Sequence, residues 1–105
     1  MLFRSQVQAE TSFSEESLHV ERTLLGAMVL DGVAACEGVS RLEVNDFSLD
    51  SHRRIFGAIL DLHKRGVDLD VVVLADELSR RRELDSVGGR EYVFDLTDEI
   101  GRAHV

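Results

Sequence analysis

The chain has no proline and no tryptophan, one cysteine, one tyrosine and, among 12 basic residues, one lysine. The lone Cys36 excludes an intramolecular disulfide framework and any C-x-x-C zinc or redox motif. It fits a reducing interior and reads as a buried structural residue rather than a nucleophile. The only lysine lies in Leu62-His63-Lys64, which cannot complete a GxxxxGK[ST] phosphate loop, so the chain is not expected to hydrolyse ATP. No run approaches the roughly 18 apolar residues that span a bilayer, and MLFRSQVQAETSFSEE lacks the h-region and cleavage site of a signal peptide. A soluble, cytoplasmic protein with no membrane partner is expected. Positive charge is scarce: 12 basic residues face 20 acidic ones, and a net charge of −8 repels a phosphate backbone. Contact with DNA would need a local exception.

What is present suits a single core, since 105 residues at 44% hydrophobic make one domain. With no proline, the punctuation comes from Gly32, Gly38, Gly66 and Gly88-Gly89. Between these lie four segments of helical apolar period. The first opens at Ser12 or Ser14, where Ser12-Phe13-Ser14-Glu15 fits a capping box and Glu15 and Glu16 suit the helix dipole. Its stripe is Leu18, Leu24, Leu25, Met28 and Val29, and it ends near Asp31-Gly32. A short piece, Val33 to Val39, bridges to a turn at Asn45-Asp46. The second helix runs from about Leu49 to Arg65, with Ser48 as cap and Gly66 just past its end. Val71 to Leu74 is β-branched, yet Val71, Leu74, Ala75 and Leu78 share a helical face, Asp70 can cap, and Arg80, Arg81 and Arg82 suit a helix C-terminus. A lone strand would have nothing to pair with, so this segment is a helix. The last follows Gly88-Gly89, with Tyr92, Val93 and Leu96 inward. The fold class is all-α: four main helices and short turns.

The second helix carries two histidines. With His52 at 0° on a wheel, Ile55, Phe56 and Ile59 lie within about 60° and His63 at about 20°, so both histidines sit on the apolar stripe. Eleven residues separate them by roughly 16 Å along the axis, too far to share a metal ion. Arg53, Arg54, Asp61, Lys64 and Arg65 gather opposite, a solvated face by default. In the first helix Glu21 projects into the stripe of Leu18, Leu25 and Met28, where a carboxylate is costly unless paired. A donor from the second helix, His52 or Arg54, is expected to meet it. No cofactor or metal site is expected in this chain: His19, His52, His63 and His104 lack metal-ligand spacing. The run Arg80-Arg81-Arg82 could touch an acidic partner, although dipole and solvation account for it.

Four landmarks then fall in order: Glu21-x-x-Leu24-Leu25-Gly26; Asp46-Phe47 followed by His52-x-x-Ile55-Phe56-x-Ala58-Ile59-x-x-Leu62; Asp70-x-Val72-x-Leu74 with Leu78; and Leu84 followed by Gly88-Gly89-x-x-Tyr92-Val93-x-x-Leu96. Together, over about residues 16 to 97, they resemble the N-terminal domain of the DnaB-type replicative DNA helicases. The resemblance implies a small orthogonal helical domain, residues 14–97, after a flexible tail of residues 1–13 and before residues 98–105, the start of a connection to a missing helical hairpin. It implies a non-catalytic collar on a hexameric helicase, supporting ring assembly and contact with primase and loader. ATP and Mg²⁺ would bind only in a separate motor domain, which would also make the DNA contact. Val73 stands where the family often has threonine, so Asp70 must serve as cap. Without the hairpin, at most weak dimerisation of this chain is expected, and an exposed apolar patch would mark its absence. Leu2-Phe3-Arg4-Ser5 and Glu99 to Val105 look like translated sequencing-adapter DNA, a non-native addition that favours a fragment over a motorless relative.

Three competing readings remain at this level. One is a free-standing adaptor or regulatory domain of the replisome, distinguished by the coding frame beyond Val105. Another is a small hydrolase using His52, which a solvent-open His52 beside a carboxylate would favour. The last is direct DNA binding through Arg80 to Arg82. The partner-facing candidates are Arg53, Arg54, Lys64, Arg65, Arg80, Arg81 and Arg82.

Overall fold

The computed structural model describes residues 14–103, with side chains through residue 98. The expected tail of residues 1–13, with the candidate cap Ser12, lies outside the described residues, as does His104. Five α-helices and one 3-10 turn follow in order: α1 Glu15–Leu30, α2 Gly32–Arg41, the turn Val44–Asp46, α3 Asp50–Lys64, α4 Val71–Arg80 and α5 Gly89–Ala103. The described residues contain no strand, and none of their helices is long and apolar enough to cross a membrane.

Ser14 opens α1, its hydroxyl accepting from the Ser17 amide at 3.2 Å, with Glu15 and Glu16 in the first turn. Asp31 then serves both sides of a junction. Its amide donates to Ala27 O at the end of α1, and its carboxylate accepts from the Val33 amide at 3.0 Å to start α2. The segment expected as a short bridge is therefore a ten-residue helix. Gly32 and Gly38, taken as punctuation, lie inside it. A Cβ on Gly38 would stand 2.4 Å from Met28 Sδ, so the glycine is what lets α2 lie close against α1. Ala35 is the buried residue of this helix; Cys36 points outward and is exposed, contrary to the buried role expected of it.

α3 is the central packing element. Its buried side is His52, Ile55, Phe56, Ala58, Ile59 and Leu62. Phe56 meets Phe47 with ring centroids 5.0 Å apart, and both are fully enclosed with Leu25, Leu74, Leu78, Val93 and Leu96. Each such side chain contributes roughly 1.5–3 kcal/mol by leaving water. His63 shares the azimuth of the stripe but is exposed, and its neighbour Leu62 is the last core residue of α3. Leu24 is likewise 41% exposed and Leu18 only half-buried, so the inward face of α1 is narrower than its pattern. Ser48 does not cap α3. Leu49 holds that position without a side-chain bond, and Ser48 is engaged elsewhere.

Two helices end the same way with different residues. After α3, Val67 N donates to Leu62 O and Gly66 N to His63 O, with Gly66 at φ 73°. After α4, Glu83 N donates to Leu78 O and Arg82 N to Ser79 O, with Arg82 at φ 61°. Both are Schellman caps, and the left-handed position that suits glycine is filled the second time by arginine. Asp70 caps α4 as expected, accepting from the Val73 amide at 2.8 Å.

Candidate functional site

The costly carboxylate of α1 finds the imidazole of α3. Glu21 is 8% exposed and His52 fully buried, and Glu21 Oε1 lies 2.7 Å from His52 Nδ1. The other oxygen, Oε2, accepts from the Ser48 amide at 2.8 Å and the Ser48 hydroxyl at 2.7 Å. His52 Nε2 is 2.6 Å from the hydroxyl of Tyr92 on α5. Burial pushes the Glu21 carboxyl up, but hydrogen bonds from His52 and from the amide and hydroxyl of Ser48 outweigh it and hold the group below its ordinary range. An ionised carboxylate only accepts, so Nδ1 carries the proton. In the neutral imidazole Nε2 then accepts from Tyr92. One unbroken relay thus crosses α1, α3 and α5.

A histidine between a carboxylate and a hydroxyl has the connectivity of a nucleophilic triad. Its placement is different. Both ring nitrogens are engaged, the ring is 0% exposed, and the hydroxyl belongs to the domain's own tyrosine. A general base must reach a substrate proton, and His52 faces none, which removes the observation that the hydrolase reading required.

The arginines form a belt along α3 and α4. Glu77, 6% exposed, takes Arg80 Nη2 at 2.7 Å, Arg65 Nη2 at 2.9 Å and Arg81 Nε at 3.0 Å. The Arg80 hydrogen bond is the largest influence on Glu77; burial opposes it, and with Arg81 and Arg65 the carboxyl is drawn down to about 2. Arg81 Nη2 continues to Asp61 at 2.8 Å, and Arg54 joins Asp50 at 2.7 Å and Glu83 at 3.1 Å. Arg53 donates to the Phe47 carbonyl at 2.8 Å. Of the partner-facing candidates, Arg53, Arg54, Arg65, Arg80 and Arg81 are therefore engaged within the domain. Lys64 and Arg82 are exposed and join no ion pair among the described residues. Arg54 does not reach Glu21; Asp50 and Glu83 hold it on the other side of α3.

The signature residues divide by task. Glu21, His52 and Tyr92 make the relay; Phe47, Ile55 and Phe56 make the core; Gly26 is buried in α1. Asp46 and Asp70 bond the amides of Glu43 and Val73. Gly88, at φ 114°, leaves room for Tyr92, whose Cβ would be 2.9 Å from a Cβ there, and Gly89 begins α5. Sequence reasoning missed Glu77. The signal existed, since Glu77 falls about 60° from Leu74 on a wheel, as Glu21 falls within its own stripe. Among the described residues no group of three or more His, Cys, Asp or Glu side chains could hold a metal ion.

Residues 14–104 match the family model of the DnaB-like helicase N terminal domain. The replicative DNA helicase DnaB of Treponema pallidum is 38% identical over 87 residues, covering 83% of this chain and 20% of the relative. That of Mycobacterium leprae is 36% identical over 88 residues, covering 84% and 15%. The crystal structure of the N-terminal domain of DnaB helicase from Mycobacterium tuberculosis superposes with a TM-score of 0.74 at 38% identity, covering 77% of this chain and 59% of that one. The chain spans about a fifth or less of the length of these curated relatives.

Proposed function

Because this chain belongs to the DnaB-like helicase N-terminal domain family, we propose that it serves as the assembly and protein-interaction collar of a replicative DNA helicase. On this reading it supports a hexameric ring and contacts primase and the helicase loader at a bacterial or phage replication fork in the cytoplasm. ATP and Mg²⁺ act in a motor domain outside this chain, and DNA is held there too.

The observation that carries the reading is how the polar chemistry is used. The buried carboxylates, Glu21 and Glu77, and the buried imidazole are bound to partners inside the domain. Such groups fix helices against one another, as a scaffold requires, and leave recognition to the surface.

The test is calorimetric titration of the helicase-binding portion of the cognate primase into this domain, with sedimentation analysis of the domain alone across concentration. Micromolar binding with a 1:1 or 2:1 ratio is expected. Absence of binding to primase and loader, with a monomer persisting to millimolar concentration, would overturn the assignment.

A further inference from the structure

Between α1 and α2 the surface holds an open apolar concavity of about 260 Å³. Its floor is Met28, which α2 approaches through Gly38, and its walls are Leu24, Ala27, Ala34 and Leu42. Leu24 is 41% exposed, and Val20, one turn before it, is 56% exposed. Large apolar side chains left in water on adjoining turns, beside an apolar hollow, mark a contact surface. The charged residues that line the hollow are Glu37 and Arg41. They stand one turn apart on α2, acid first, the spacing at which such residues pair along a helix. Asp50 with Arg54 and Glu77 with Arg81 close at that spacing, at 2.7 and 3.0 Å. Glu37 and Arg41 do not: both are exposed, and neither joins an ion pair among the described residues.

From the uncovered apolar wall and the two unpaired charges of opposite sign we infer that this concavity is where two copies of the chain pair about a two-fold axis. An isologous contact needs a patch that complements itself, and a patch bordered by one acid and one base does so. A two-fold axis crossing the concavity runs the two α2 helices antiparallel, so that Glu37 of each copy faces Arg41 of the other. Leu24 of each then enters the hollow beside Ala27 and Ala34 of the other. The balanced border suits other occupants less well. A strongly basic partner would meet Arg41, and nucleic acid or an anionic bilayer would meet Glu37 on a chain of net charge −8. That same net charge opposes pairing, and a hollow a few side chains wide falls short of the roughly 800 Å² per partner of a stable complex. The contact is therefore weak, with a Kd on the order of 0.1–1 mM, and suits copies already held side by side in a ring. The inference rests on the reading of this domain as an assembly collar and names the surface it would use.

The experiment is sedimentation equilibrium of the 105-residue chain, with nitrogen-15 spectra followed on dilution from about 2 mM. Concentration-dependent shifts at the amides of Val20, Leu24, Ala27 and Arg41 are expected. Glu37→Arg makes the chain less acidic and Arg41→Glu makes it more acidic, so net charge alone would move their Kd values in opposite directions. The paired geometry sets like charges face to face in both, and each should weaken association at least about 10-fold. Both sites are exposed, so the variants keep the fold. An equimolar mixture of the two variants restores both ion pairs and should associate within about 3-fold of the parent. The inference is overturned if the parent stays monomeric at about 2 mM, which leaves the concavity to a different partner. It is also overturned if either variant pairs as well as the parent, or if the mixture associates no better than the variants alone. Self-association that ignores both substitutions removes this surface and leaves the collar reading standing, since that reading is judged by primase and loader binding as well.

Discussion

Replacing Glu21 by alanine and by glutamine should give very different losses. Alanine removes the acceptor of three donors: His52 Nδ1, the Ser48 amide and the Ser48 hydroxyl. Ser48 is half-buried and can turn to water, but His52 is fully enclosed, so one ring nitrogen is left unpaired in either tautomer. An unsatisfied buried group costs about 1–3 kcal/mol, and lost bonds to a carboxylate add to it; about 3–4 kcal/mol is expected for Glu21→Ala. Glutamine can be absorbed. Its carbonyl oxygen takes the two Ser48 donors, its NH2 group donates to Nδ1, and the imidazole proton moves to Nε2 and donates to the Tyr92 oxygen. The enclosed ring keeps both of its bonds, the half-buried Tyr92 hydroxyl turns its own proton away from the ring, and the loss is about 1 kcal/mol. In urea, with m of about 1–1.5 kcal/mol/M, the midpoint should fall by about 2–4 M for alanine and by at most about 1 M for glutamine. Nitrogen-15 spectra of His52 should show the proton on Nδ1 in the parent and on Nε2 in Glu21→Gln. Equal losses for the two variants, or an alanine variant within about 1 kcal/mol of the parent, would refute the relay as a stabilising element.

Gly88→Ala combines a φ of 114° with a Cβ 2.9 Å from that of Tyr92; a loss of at least about 2 kcal/mol by thermal melting is expected. Arg82→Gly relieves a left-handed arginine and should stabilise by about 0.5–1 kcal/mol, read from the same melts. Glu77 titrates below its ordinary value of 4.5, at about 2, so its stabilising effect is complete above about pH 4.5 and is lost as pH falls toward 2. Its partner arginines are 28–67% exposed, and solvent screening reduces the contribution to about 1–2 kcal/mol. Glu77→Gln should flatten the stability profile between pH 4.5 and 2, and an unchanged slope would show that the belt does not act through this carboxylate.

How much of this was legible follows from what periodicity can carry. α1, α3, α4 and α5 bury large apolar residues at helical spacing, and their caps Ser14 and Asp70 are local. α2 has no such stripe. Ala35 is what it buries, and its place is set by the approach of Gly38 to Met28, a tertiary event that a single segment does not encode. Glu21 was visible because a charge interrupts an apolar face, and His52 because it continues one. Ser48 was not, because its use depends on a residue 27 positions away. The arginines looked like a solvated face because charge patterns do not reveal ion-pair partners; Glu77, the centre of the belt, lay unnoticed between Leu74 and Leu78.

The Tyr92 contact also has a mechanical side. α5 starts at Gly89, whose φ of 83° makes a natural pivot, and runs to Ala103. Tyr92 lies about 4.5 Å along the axis from that pivot and Ala103 about 21 Å. α5 is thus a lever with its latch near the fulcrum. A hydrogen bond that tolerates about 0.5 Å of play at the hydroxyl confines the far end to about 2 Å, whereas an unlatched helix swinging 2 Å at Tyr92 would sweep about 9 Å at Ala103. One phenol on one imidazole, with Val93 and Leu96 packed in the core just beyond it, sets the aim of α5.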